Sequence, residues 1–502
     1  MATTDGNPEV PNGLTSGSLV DPDNDVVPPA HERRTLVLCF DGTGDQFSTD
    51  LFSMLKKDDP SQQMVYYQAG IGTYTIPEIA TPFWSNVSKT IDMMIGNHLD
   101  AHVMGGYEFL MQNYEAGDKI CIFGFSRGAY TARALAGMIH KVGLLPRCNY
   151  QQVPFAYKMY SQDDETGWRQ STAFKKAFSI NVDIEFVGVW DTVSSVGVIP
   201  HRLPFTKTSD NIRYFRHAMA LDERRARFKA NYWNRPTQDD QKLGVKRDEM
   251  PRSQKKLTEV LPDPLKLKND QPGQRELERQ YSQDIDKTDV LEVWFAGCHC
   301  DVGGGSVENN TRNSLARIPL RWMIRECFKT NSGILFHRSK FKKIGIDPAT
   351  LYPYVQERPP AIYQAPAQIP EPGSPGSTKP LVVAVVKNDP TVVTNSAEWA
   401  FASEEEEDWT DALSPIYDQL KIAPYWWILE VIPQKIRYQR DEDDSWTKEI
   451  TVNMGRGRHI PMQEIVGVKF HRSVKIRMEA DALKGGKYVP KATLKVEPQW
   501  VD

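Results

Sequence analysis

At 502 residues and 40% hydrophobic content, the chain can build one large core with insertions on it. Its 61 basic and 65 acidic residues leave a formal charge of −4, a balance that gives no reason to expect a nucleic-acid partner. Cys39, Cys121, Cys148, Cys298, Cys300 and Cys327 are thinly spread, which suits buried thiols in a reducing compartment, and no apolar run of about 18 residues offers a membrane span.

The first 32 residues are rich in Pro, Gly, Asp and Asn and lack the charged start and apolar stretch of a secretory signal. They are expected to form a disordered tail on a cytoplasmic protein. A main domain is expected over 33–330. It opens with Thr35-Leu36-Val37-Leu38-Cys39-Phe40, a buried parallel strand that runs into Asp41-Gly42-Thr43-Gly44. Met64–Tyr67 is a second strand, leading to Gly70-Ile71-Gly72-Thr73. Asn86–Tyr114 has helical spacing, broken at Gly105-Gly106. Residues 119–144 read as an apolar strand, then Gly-Phe-Ser-Arg-Gly, then a small-residue helix. Val182–Val189 is another strand, ending at Trp190-Asp191-Thr192-Val193. Val290–Ala296 is a fifth, ending in Gly297-Cys298-His299-Cys300-Asp301, and a helix follows over Leu315–Phe328.

Strands alternating with helices, with polar loops at the strands' carboxyl ends, predict a doubly wound, mostly parallel α/β sheet with insertions and a C-terminal extension. Residues 235–288 are polar and read as a surface insertion, and 331–380, with prolines clustered after 355, as a linker. The extension, 381–502, is expected to pack on or cap the core. Within it, Leu381–Val386 alternates, and the acidic run Glu404–Asp408 is expected to be a solvated face. Tyr425–Ile432 is strongly aromatic, either packed against the core or serving as a lid or acyl-chain-contacting surface.

Ser126, flanked by Gly124 and Gly128 between an apolar strand and a helix, has the setting of a nucleophile elbow. A serine hydroxyl needs a base to take its proton and a carboxylate to orient that base. Asp191 and His299 follow in that order, each directly after a strand, so three strands would deliver three groups to one rim. An Asp before a helix also commonly serves as an N-cap, and a buried histidine can be purely structural. His471 is the alternative base; His299 is preferred because Gly303, Gly304 and Gly305 make an open loop beside it. The amide of Arg127 and one from Gly42, Thr43 or Gly44 are the candidate oxyanion donors, with Asp41 capping that loop. Arg127 and Arg133 could meet a phosphate head group, or pair with local carboxylates. Asp41-Gly42-Thr43 resembles a phosphatase signature, but Cys39 stands where its nucleophilic aspartate would be. Cys298-His299-Cys300-Asp301 lacks a second Cys/His pair at zinc-ligand spacing, so neither a metal nor an organic cofactor is expected.

The chain resembles an α/β-hydrolase family, the type VI secretion phospholipase effectors and their eukaryotic, especially fungal, relatives. The similarity is carried by Leu36–Gly44, Gly70–Thr73, Gly124–Ala129, Trp190–Val193, Ala220–Arg225 and Trp294–Gly305, in that order. It covers roughly 33–330, with a weaker echo at His471–Val474; Asp45 departs from it, since an Asn is common there. The resemblance implies an α/β-hydrolase fold and phospholipase activity through a Ser-Asp-His triad, here Ser126, Asp191 and His299. A lipid or other ester substrate and a peripheral membrane contact are expected. Acyl transfer on the same fold, or a non-catalytic binding protein that keeps it, are the alternatives.

Overall fold

β1 spans Thr35–Phe40, and all of its residues are buried, as befits a strand covered on both faces. Seven further strands join it: β2 (Gln63–Gln68), β3 (Lys119–Phe125), β4 (Ile184–Trp190), β5 (Ile212–Ala220), β6 (Asp289–Phe295), β7 (Lys469–His471) and β8 (Gln499–Val501). They form one eight-stranded sheet in the order β2-β1-β3-β4-β5-β6-β7-β8, with every neighbouring pair parallel. The computed structural model describes residues 25–29, 33–42, 49–70, 99–162, 164–193, 203, 211–233, 288–308, 311–363, 403–439, 446–481, 483 and 486–502.

Because successive side chains of a strand point to opposite faces, each strand feeds two cores. Leu36, Leu38, Phe40, Ile120 and Ile122 join α1 (Leu99–Asn113), α2 (Ser126–Val142), α3 (Val153–Ser161) and Phe174 of α4 (Glu165–Phe178). Val37, Cys39, Cys121 and Phe123 face the other way, toward α5 (His299–Gly303), α6 (Arg317–Lys329), α7 (Glu404–Ala412) and α8 (Arg472–Glu479). Helices on both faces make this a doubly wound α/β architecture. The chain goes from β1 outward to β2, then returns past β1 to β3 and continues in one direction. Strand order therefore reverses between β1 and β3, the kind of switch point outside whose carboxyl ends α/β sheets bind their ligands.

Several expectations change. The tail does not extend to residue 32: Val26–Val27 pairs antiparallel with Phe336–His337, and Val27 is buried. Residues 331–363 are not a linker, because Ile334, Phe336, Phe341, Ile346 and Leu351 cover the second core. α1 runs straight through Gly105-Gly106; a Cβ on Gly106 would lie 2.6 Å from the Phe40 ring, so glycine here permits close helix–sheet contact. β5 went unrecognised because Arg213, Arg216 and His217 interrupt its apolar pattern. Of the acidic run, Glu404, Glu407 and Asp408 are buried rather than solvated. α7 lies against α6, where Arg317, Arg321 and Arg325 recur every four residues: Arg321 meets Asp408 at 2.6 Å, Arg317 meets Asp411 at 3.1 Å and Arg325 meets Glu404. The extension also supplies β7 and β8 to the sheet itself. Thr43, Gly44, residues 71–73 and 86–98, the insertion up to 287 and residues 381–386 lie outside the described residues. Among the described residues, no helix is long and apolar enough to cross a membrane.

Candidate active site

β3 ends at Phe125 and α2 begins at Ser126, with nothing between them. Ser126 takes φ +58°, in the left-handed region. A Cβ on Gly124 would lie 2.5 Å from the Gly128 carbonyl oxygen, and one on Gly128 2.2 Å from that of Phe40, so the bend requires glycine on both sides. Asp191, directly after β4, is also left-handed at φ +40°. Its amide donates to the Ala218 carbonyl at 2.7 Å, and its Oδ1 accepts from the Ala220 amide at 2.9 Å. His299 opens α5 just beyond β6.

These three strand ends bring three side chains together. His299 Nε2 lies 2.7 Å from Ser126 Oγ, and His299 Nδ1 lies 2.5 Å from Asp191 Oδ2. All three residues are buried. The imidazole is flanked by Phe125 (ring centroids 4.7 Å apart) and, edge-on, by Phe228 (4.9 Å). Its own amide faces Glu223 Oε2 at 3.3 Å. Of the glycines after it, Gly303 and Gly304 are buried and Gly305 is exposed; a Cβ on Gly303 would lie 1.9 Å from the Phe125 ring, so the start of that turn is a close packing contact and not an open loop.

His471 is placed elsewhere. It ends β7, stacks on Phe295 and caps α8, with Nδ1 2.8 Å from Ser473 Oγ. Burial pushes its imidazole down to about 3, so it is neutral at physiological pH. Asp41 does cap its loop: Oδ1 accepts from the Gly42 amide and Oδ2 from the Tyr67 hydroxyl, both at 2.6 Å. The Gly42 amide is therefore engaged by a buried carboxylate that needs its donors, which removes it as an oxyanion donor. Gly42 still adjoins Ser126, since a Cβ on it would lie 3.3 Å from Ser126 Cβ. The Arg127 amide belongs to the first turn of α2, where N–H groups lack helical acceptors. Arg127 and Arg133 are buried, and Arg133 donates to the carbonyl oxygens of Asn231 (2.5 Å) and Tyr232 (3.1 Å), away from any head group in solvent.

Three supporting groups were not anticipated. Arg458 places both terminal nitrogens on Asp191, Nη1 on Oδ1 and Nη2 on Oδ2 (2.8 Å), and also donates to the carbonyl oxygens of Ala220 (3.0 Å) and Phe228 (2.6 Å). Burial alone would raise the Asp191 carboxyl; Arg458 and His299 outweigh it and hold it well below the usual carboxylate range. Glu223 is likewise opposed by burial and brought down to about 2 by Arg225, whose guanidinium lies 3.5 Å from the Phe228 ring centroid. His217 accepts from the Thr192 amide at 3.1 Å through Nε2 and meets Glu292 at 2.9 Å through Nδ1, which holds the residue after Asp191 in place. The one sequence signal for Arg458 is its setting in Gly455-Arg456-Gly457-Arg458: a Cβ on Gly457 would lie 1.7 Å from the Lys491 carbonyl oxygen, so that chain passage is closely packed.

Above Phe228 sits the aromatic segment. Trp426 is buried with its ring edge-on to Phe228 at 5.6 Å, whereas Tyr425, Ile428, Val431 and Ile432 are exposed. The segment thus has one face on the site's wall and an apolar face toward solvent.

The chain is 28% identical over 577 residues to a Saccharomyces cerevisiae protein described as Uncharacterized protein YEL023C, covering 91% of this chain and 81% of the relative. A crystal structure of an uncharacterized protein from Pseudomonas aeruginosa is similar at 17% identity and TM-score 0.30, covering 60% of this chain and 46% of that one. The structure of the Tle1 effector bound to the VgrG spike of the type 6 secretion system is similar at 18% identity and TM-score 0.21, covering 40% and 48%. This chain thus spans less than half the length of either solved protein. Residues 34–326, the span that holds Ser126, Asp191 and His299, match the family described as T6SS, Phospholipase effector Tle1-like, catalytic domain. The chain belongs to that Tle1-like phospholipase effector family.

Proposed function

We propose that the protein is a serine hydrolase of lipid carboxylic esters, with phospholipids as the favoured class. The observation that carries this reading is the continuous contact from Ser126 Oγ through His299 to Asp191 at the carboxyl rim of a parallel sheet. Ser126 Oγ attacks the acyl carbonyl while His299 Nε2 takes its proton. His299 then returns that proton to the leaving alcohol as the tetrahedral intermediate collapses to an acyl-enzyme. A water, deprotonated by the same imidazole, attacks the acyl carbon and releases the carboxylic acid and free serine. Asp191 holds Nδ1 protonated, so that Nε2 faces the hydroxyl as an acceptor. The Arg127 amide and a donor from the loop after β1, at Thr43 or Gly44, are assigned to the oxyanion.

A fluorophosphonate should label the wild-type protein and not Ser126→Ala. The same variant should lose about 10⁴-fold or more in turnover of a short p-nitrophenyl ester. Turnover that survives in Ser126→Ala would overturn the mechanism. The lipid part of the reading is supported by the apolar face of residues 425–432, which adjoins the wall of the site and fits peripheral contact with a bilayer surface. Ile428→Asp combined with Val431→Asp should reduce sedimentation with phosphatidylcholine/phosphatidylserine vesicles while sparing turnover of the soluble ester. Unchanged vesicle binding in that double variant would assign the face another role.

A further inference from the structure

Arg458 lies outside the stretch that matches the family and does not directly follow a strand, yet its guanidinium meets both oxygens of Asp191. We propose that Arg458 is a positioning residue for the reaction: the C-terminal segment supplies a buried guanidinium that fixes the Asp191 carboxylate against His299 and shares its charge. The inference rests on the serine-hydrolase reading and extends its machinery beyond the residues a Ser-His-Asp arrangement requires.

The fork is the first argument. Asp191 Oδ1 accepts from the Ala220 amide and Arg458 Nη1, and Oδ2 accepts from His299 Nδ1 and Arg458 Nη2. Planar, bidentate pairing of this kind sets the orientation of a carboxylate as well as its charge. Rotation of the carboxylate would break the contact that keeps the imidazole tautomer correct. The second argument is what else the guanidinium holds. It donates to the Phe228 carbonyl, and the Phe228 ring lies against the imidazole, so one side chain braces two sides of His299. The third is that Arg458 itself is fixed. Its carbonyl accepts from the Thr493 amide at 3.0 Å, and the neighbouring Ala492 amide donates to the Leu221 carbonyl at 2.9 Å, which ties this passage to the end of β5.

Charge balance isolates the effect. Around the Asp191–His299 pair stand Arg458, Glu223, Arg225, His217, Tyr232 and Lys229. Glu223 and Arg225 pair with each other at 2.9 Å, and burial keeps His217 and Tyr232 uncharged at neutral pH. Lys229 is drawn to Asn453 at 2.7 Å. Arg458 is left as the cation in direct contact with Asp191. Without it, burial would act against the carboxylate with only His299 and the Ala220 amide opposing, and Asp191 would take up a proton at higher pH. The acid limb of the rate profile would then move upward.

The test is Arg458→Met, in the full-length protein, read by the pH dependence of fluorophosphonate labelling and of kcat/KM for a soluble ester. The acid limb should move up by about one pH unit. kcat should fall roughly ten- to a hundredfold, the scale on which a small misplacement of reacting groups acts, with KM little changed. Free guanidinium should restore part of the rate to Arg458→Ala. An unmoved acid limb together with no response to guanidinium would reduce Arg458 to packing and overturn the proposal. If Arg458→Met does not melt cooperatively, Arg458→Lys decides, because it returns the charge without the fork. It should keep the wild-type acid limb and lose kcat, and wild-type kcat in that variant would overturn the positioning role. Failure of the underlying serine reading would look different, as a wild-type protein that does not label at any pH.

Discussion

Ser126 and Asp191 hold backbone conformations that L-residues avoid. Strain of that kind costs about 1–3 kcal/mol per residue and persists only where neighbours over-determine it. At Ser126 the neighbours are the two glycines that let backbone approach backbone; at Asp191 they are the donors that fill both carboxylate oxygens. Among the described residues, three buried histidines on or beside the sheet show how partner, rather than burial, assigns a role. His299 bridges Ser126 and Asp191, His217 bridges Thr192 and Glu292, and His471 has an aromatic neighbour and a helix to cap. A buried neutral histidine carries a stability signature. The unfolded chain binds a proton on His471 near 6.5 and the folded chain only near 3, so stability is full above the first value and declines as pH falls toward the second. Asp301, pushed up to about 6 by burial, acts with the opposite sign as pH falls from there toward 3.8. The difference between proteins isolates the histidine. His471→Asn, which can still cap α8, should flatten the loss of melting temperature between about pH 6.5 and 4 and leave the acid limb of ester turnover in place. A parallel fall in both proteins would mean that His471 is not the titrating group.

At the scale of elements, the contact between α6 and α7 shows why tertiary partners decide what an acidic run means. Asp408 is engaged by Arg321 at 2.6 Å and Arg358 at 2.9 Å, with all three side chains buried. Asp408→Ala leaves two buried guanidinium groups without that partner and should cost about 3–5 kcal/mol in urea unfolding. Replacing Asp408 and Arg321 together by apolar residues should cost less than the sum of the single changes. An effect below about 1 kcal/mol, the range of an exposed pair, would show that water reaches the cluster. The same contact explains what was hidden in the sequence. Glu404–Asp408 reads as a solvated surface because its arginine partners lie some 80 positions upstream, visible only as a four-residue spacing within α6. β1, β3, β4 and β6 were legible because their apolar runs are barely interrupted. β5 was not, because its polar side chains are satisfied across the fold: Arg216 by Glu326 at 2.6 Å and His217 by Glu292 at 2.9 Å. Ser126, Asp191 and His299 could each be named because each directly follows a readable strand. Arg458 does not directly follow one and reaches Asp191 from the irregular passage after the strand Trp446–Thr451.

For the whole molecule, the family match ends at residue 326, inside α6, yet the fold continues to the last residues. Cutting there would uncover the edge of β6, which pairs with β7 through Trp294 and Phe470, and remove Arg458 from Asp191. It would also leave Arg317, Arg321 and Arg325 facing an empty groove where α7 had supplied their carboxylates. Each uncompensated buried charge costs several kcal/mol, and the loss of three reaches the roughly 5–15 kcal/mol that holds a domain folded. A fragment of residues 1–330 should therefore fail to melt cooperatively and should not react with a fluorophosphonate. Residues 331–502 added as a separate chain should restore labelling, because they bring back the cover of the second core, the sheet edge, the carboxylates and the guanidinium together. A 1–330 fragment that labels at the wild-type rate would mean that the catalytic unit closes without its C-terminal third and that the groups it contributes are accessory.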